Sequence, residues 1–132
     1  MPIGERRGIL PGMNHPFLDT SFLPQWDQLT PDHVQSDIET VLADAQRRID
    51  EIAATPSEQA DYESTFAALE AAIEPVMKAW GKVEHLDSVA NAAELREAIN
   101  AMLPEVSAFS ASIPLNEPLY RALSAAAAKP EL

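Results

Sequence analysis

TPDHVQSDIETVLADAQRRIDEIA, residues 30–53, is the stretch whose reading decides the fold. Thr30 is a favoured capping residue, Pro31 suits the first helical position, and Asp32 lies near the positive end of a helix dipole. From there Val34, Ile38, Val41, Leu42, Ala45, Ile49 and Ile52 recur mostly at steps of three and four. That spacing makes one apolar stripe along an amphipathic helix. Glu39, Asp44, Arg47, Arg48 and Glu51 face away from it. The helix is predicted to end near Ala54, before Thr55 and Pro56.

The same period continues downstream. A second helix is predicted to start after Ser57 or Asp61, with Tyr62, Phe66, Leu69, Ile73, Val76, Met77, Trp80, Val83 and Leu86 as its stripe. Pro75 falls inside it and predicts a kink. Asn91-Ala92-Ala93-Glu94 reads as a capping box. It opens a third helix carrying Leu95, Ile99, Met102, Leu103, Val106, Phe109 and Ile113, with a second kink at Pro104. Asn116 caps a short fourth helix from Glu117 to about Ala128, which presents Leu119, Tyr120 and Leu123.

Upstream, Pro16 and Pro24 stand among Phe17, Leu18, Phe22, Leu23 and Trp26. The prolines oppose helix, while the hydrophobes are too many for a free tail. The expectation is an extended arm pinned to the helical body by its aromatic rings. Residues 1–13 are expected to be a disordered extension, and residues 14–132 one helical domain. The whole is predicted to be all-α, an antiparallel bundle or hairpin stack of about four helices with an extended N-terminal arm.

Composition agrees with that class. Of 132 residues 46% are hydrophobic and 23% charged, ordinary values for a globular domain. Glycine numbers only four, and strand-like runs of Val, Ile and Thr are missing. A formal charge of −12, with nine Lys and Arg scattered along the chain, argues against nucleic acid or an anionic membrane as partner. No apolar run approaches the roughly 20 residues of a membrane helix. The first dozen residues hold too short an apolar core for a secretory signal, so a cytoplasmic protein is expected.

Catalytic constellations are hard to find. Without Cys there are no thiolate sites or disulfides. His15, His33 and His85 stand too far apart for the i, i+4 pair of an H-E-x-x-H zinc helix. Glu84-His85 is only a reversed fragment of that motif. No Ser sits in a G-x-S-x-G turn. The many carboxylates lie mainly on solvated helix faces. No catalytic or metal-binding residue is therefore assigned within the chain.

One run is more specific than composition. Residues 80–104 read Trp80-Gly81-Lys82-Val83-Glu84-His85-Leu86-Asp87-Ser88-Val89-Ala90-Asn91, then Ala92-Ala93-Glu94-Leu95-Arg96-Glu97-Ala98, closing with Leu103-Pro104. This is similar to W-x-x-V-S-H-L-N-S-V-x-N-S-x-E-L-R, a pattern of the N-terminal region of the thimet oligopeptidase/oligopeptidase A family. The flanks resemble it too. Leu29-Thr30-Pro31-Asp32-His33-Val34 looks like the family's I-x-P-E-H-V helix start, and Phe66 to Glu70 stands where it has P-L-E. Leu103-Pro104, Phe109, Asn116 and Leu119-Tyr120 follow its L-P…F…N-x-x-L-Y order. The resemblance covers about residues 14–124. Glu84, Asp87 and Ala92 depart from the pattern, and the first two add negative charge around His85.

The resemblance implies a zinc-dependent peptidase that cuts short peptides in a channel between two largely helical halves. Its zinc ligands and catalytic Glu belong to a C-terminal catalytic domain beyond this chain, so no cofactor is expected in this segment. The segment is expected to form part of the channel wall, to be inactive alone, and to have the catalytic domain and short peptides as partners. Severed from that domain, it is expected to self-associate through the face left uncovered. Trp80, Val83, Leu86 and Val89 are expected in the core. His85 and Asn91 are expected to hydrogen-bond across the turn between the second and third helices, with direct peptide contact as the alternative. Arg96 can pair with Glu94, Glu97 or an acid of the absent domain. Trp26 and Tyr120, each an apolar ring with a polar tip, suit a domain interface or a substrate contact. The competing reading is a stand-alone helical adaptor for a peptide or a partner helix.

Overall fold

The computed structural model describes residues 15–18, 29–90 and 92–129. Four α-helices carry the fold: α1 (Pro31–Ala53), α2 (Ala68–Ala90), α3 (Ala93–Ser112) and α4 (Glu117–Ala127). There is no strand among the described residues, and the all-α class stands. Residues 1–13, and with them the expected extension, lie outside the described residues, as do Phe22, Leu23 and Trp26.

Helix α1 is the hub. It buries Val34, Asp37, Ile38, Val41, Ala45, Ile49 and Ile52, and α2, α3 and α4 all pack against it. Fully burying a Val or Ile side chain stabilises by about 1.5–3 kcal/mol, so this stripe is the main source of cohesion. The end of α1 lies beside the start of α2: Arg47, Arg48, Glu51, Ile52 and Thr55 share a groove with Ser64, Ala68 and Ala71. The two helices therefore run antiparallel, as a hairpin. Lys129 Nζ donates to the Glu58 carbonyl at 3.2 Å and ties the end of α4 to the α1–α2 connection.

The predicted ends hold well. Helix α1 stops at Ala53, with Ala54 as its C-cap. Helix α4 starts at Glu117 because Asn116 Oδ1 accepts from the Leu119 N–H at 3.1 Å. Other caps differ. Thr30 occupies the cap position of α1, but its hydroxyl meets His33 Nδ1 at 3.0 Å in place of a backbone N–H. Helix α3 has Ala92 at its cap position, without a side-chain cap bond, and Asn91 lies outside the described residues. Pro75 and Pro104 are both accommodated within continuous helices.

Two corrections concern phase. The second helix does not open as α-helix. Residues Glu63–Ala67 form a π turn, in which the Ala67 N–H donates to the Tyr62 carbonyl at 3.0 Å. Its wider winding slips the side-chain phase before α2 begins. The buried face of α2 is then centred on Ala72, Val76, Ala79 and Val83, at steps of four, three and four. Two of these four are alanines, whose small side chains let a neighbouring helix come close. Tyr62 and Phe66, predicted as core, are consequently exposed, and Met77, predicted as core too, stands 64% exposed beside the buried Val76. Trp80 and Val83 are buried as predicted and Leu86 is partly buried, but Val89 and Leu103 face out.

Candidate functional site

Among the described residues, the start of the arm is hydrogen-bonded to α1 through one side chain, Asp37. Pro16–Leu18 is one 3-10 turn, closed by the Leu18 N–H donating to the His15 carbonyl at 2.9 Å. Pro16 suits the first position of such a turn, since its φ is preset and its missing N–H would have been unpaired. The expected extended arm is thus helical here. Phe17 is buried, and the turn packs against both α1 and α2. Asp37 is 0% exposed. Its Oδ1 lies 2.6 Å from His15 Nδ1, and its Oδ2 accepts from the Phe17 N–H at 2.8 Å. A buried carboxylate is tolerable only with such partners.

Sequence reasoning missed Asp37, although a signal was present. Position 37 stands three residues after Val34 and four before Val41, squarely within the stripe that the helix buries. A His–Asp pair is also part of a catalytic triad, but among the described residues no hydroxyl is hydrogen-bonded to His15. Among the described residues the arrangement holds the turn to α1.

The predicted site residues are spread out. Trp26 and Asn91 lie outside the described residues. His85 is exposed near the end of α2, where its carbonyl accepts from Ser88 Oγ at 2.7 Å. Arg96 spans the α2–α3 corner to Asp87, at 3.5 Å, and so pairs with an acid on the preceding helix. Tyr120 is 67% exposed on α4, which packs on α1 and on the connection between α1 and α2. His85 and Arg96 therefore share the α2–α3 corner, and Tyr120 stands on another element.

The outer side of α2 carries a surface that the sequence reading had placed in the core. Tyr62 and Phe66 stack with ring centroids 6.1 Å apart and planes at 20°. Beyond them runs a shallow groove of about 660 Å³ lined by Ala67, Glu70, Ala71, Ile73, Glu74 and Met77. Around Ala71 it adjoins the α1–α2 groove of about 420 Å³. The cations there are already engaged. Arg47 lies 2.7 Å from Asp44 and 2.9 Å from Glu51, and Arg48 lies 3.1 Å from Asp44. The hydrogen bond to Asp44, followed by the attraction of Glu51, holds the Arg47 guanidinium above its ordinary pKa. An apolar groove edged by carboxylates suits a polypeptide better than an anion.

Among the described residues no group of three His, Cys, Asp or Glu could hold a metal ion. No helix of the described residues is long and apolar enough to cross a membrane.

Comparison with known proteins places the chain. The N-terminal domain family of neurolysin and thimet oligopeptidase matches residues 38–131. Oligopeptidase A of Haemophilus influenzae is 31% identical over 110 residues, covering 83% of this chain and 16% of that protein. Oligopeptidase A of Escherichia coli is 29% identical over 110 residues, with the same 83% and 16% coverage. An Arabidopsis thaliana protein described as "Probable cytosolic oligopeptidase A" is 27% identical over 120 residues, covering 89% of this chain and 16% of its own length. The chain thus spans about a sixth of the curated relatives it matches. No solved structure gives a significant match.

Proposed function

The chain belongs to the neurolysin/thimet oligopeptidase family, as its N-terminal domain, and on that premise we propose that it serves a zinc-dependent oligopeptidase as part of the wall of the channel that admits short peptides. The observation that carries this reading is the uncovered side of α2. Tyr62, Phe66 and Met77 are large apolar side chains held in water beside a groove, on a chain that spans a sixth of its relatives. Apolar surface of this kind marks a place where another polypeptide packs.

In this proposal the metal and the peptide-cleaving chemistry belong to the rest of the polypeptide. Within this chain His15 meets Asp37 and His33 meets Thr30, and among the described residues no group of three His, Cys, Asp or Glu could hold a metal ion. His85, Arg96 and Tyr120, with Trp26 and Asn91, are proposed as contacts to the catalytic domain or to the peptide. A cytoplasmic location accompanies the proposal, supported by the cytosolic description of one relative.

The test is direct. The purified chain is loaded with zinc, dialysed and analysed for metal, then incubated with short peptides and followed by mass spectrometry. The expected result is no stoichiometric zinc and no cleavage. Chelator-sensitive cleavage overturns the proposal. A photo-crosslinker placed at Met77 of the full-length polypeptide checks the wall itself, with products expected to the catalytic domain or to a bound peptide. Products to neither remove the wall role.

A further inference from the structure

We infer that residues 15–18 form a strap latched to the α1–α2 pair through Asp37, and that it opens and closes as one unit while the four helices stay folded. Both oxygens of the buried Asp37 carboxylate are met by the strap, Oδ1 by His15 and Oδ2 by the Phe17 N–H. The two donors are not independent. The Leu18 N–H to His15 carbonyl bond closes the turn that presents them together, so distorting the turn weakens both contacts at once. Phe17 enters the same latch from its apolar side, fully buried where the strap packs against α1 and α2.

Among the described residues the strap makes no backbone–backbone hydrogen bond to the helical body. Among the described residues it is held by one side chain that accepts, one ring that is buried, and the flanking Pro16 and Leu18. Segments fastened by few contacts open at lower free energy than the core they lie on. Here opening has a particular consequence, because a buried carboxyl group left without hydrogen-bond partners is costly. Departure of the strap must let water reach Asp37, and it uncovers at the same moment the slot that Phe17 fills. The open state presents a carboxylate beside an apolar depression between α1 and α2. That pair is complementary to a segment offering an apolar side chain with adjacent N–H donors, which is the chemistry of the strap itself. The latch is independent of the oligopeptidase reading, since it rests on contacts within this chain.

Hydrogen exchange followed by mass spectrometry on the full chain tests it, with Asp37→Ala and His15→Ala beside the wild type. In wild type the Phe17 amide is expected to be protected by Asp37. In either variant exchange across residues 15–18 is expected to rise about ten- to a hundredfold, the range for losing one charge-assisted hydrogen bond. Peptides around Ile49 and Val83 are expected to keep their wild-type rates. Equal acceleration of strap and core overturns the inference, because Asp37 is then a support of the whole fold. Unchanged exchange at Phe17 in both variants overturns it as well. Should Asp37→Ala fail to fold, His15→Ala carries the test, since His15 is half-buried on the strap and leaves α1 intact.

Discussion

Replacing Gly81 by alanine should stabilise this protein, and the size of the gain follows from the structure. Gly81 is exposed in the interior of α2, and a Cβ built there meets nothing within 4 Å. The methyl group therefore brings no clash and little burial. What it changes is the unfolded chain, where glycine has the more freedom to lose, and the effect in a helix interior is about 0.5–1 kcal/mol. Globular proteins unfold with an entropy of roughly 2.1 cal/mol/K per residue. For 132 residues that amounts to about 0.28 kcal/mol/K, so Gly81→Ala should raise Tm by about 2–4 °C. Circular dichroism melts and urea titrations at constant m-value measure it. The converse change at a buried neighbour, Ala79→Gly, should lower Tm, since it adds the same backbone cost and removes a packed methyl. An unchanged or lower Tm for Gly81→Ala refutes the reasoning, because either the helix or the open space would then be misplaced. In the full-length polypeptide the same substitution probes docking: a chain that is more stable alone but weaker in the whole would mean that the rest packs closely over Gly81.

Other outcomes follow from the same contacts. Ile38→Ala, at a fully buried position of the hub helix, should cost about 2–5 kcal/mol in urea unfolding. Met77→Ala, on the exposed side of α2, should stay within about 0.5 kcal/mol of wild type in the same experiment. Asn116→Ala removes the cap of α4 and should cost about 1 kcal/mol, with faster exchange in its first turn. The Ser64 backbone N–H, followed by the Ser64 side chain, holds the Asp61 carboxyl below its ordinary pKa. A depressed carboxylate contributes stability above its unfolded-state pKa and loses it as pH falls through the lower folded-state value. The Asp61 turn should therefore loosen only in acid. An NMR titration should place its midpoint lower than an ordinary Asp, and Ser64→Ala should raise that midpoint only in part, because the backbone donor remains.

The helices themselves, their number and several of their ends were legible in the chain. The stop at Ala53 and the start at Glu117 depend on proline, asparagine and apolar spacing, signals that act within a turn or two. The family was legible for a similar reason, since the ordered run from Trp80 to Pro104 lies within one stretch of sequence and the residues matched by the family, 38–131, contain it. The candidate site was legible less well. Of the five residues singled out, His85 and Arg96 share a corner, Tyr120 stands on another helix, and Trp26 and Asn91 lie outside the described residues.

What periodicity determined was that each segment would be helical and amphipathic, because a repeat of three and four residues needs only the helix to exist. Which side of α2 would be buried was decided by the tertiary structure. The π turn at Glu63–Ala67 slipped the phase ahead of α2, so Tyr62 and Phe66 face out while Ala72 and Ala79 are buried beside Val76, Trp80 and Val83. Asp37 makes the same point. Its place in the stripe could be read from sequence, but its meaning depended on donors 22 and 20 residues away. Local rules end where the partner is distant in the chain, and there only folding brings the two together.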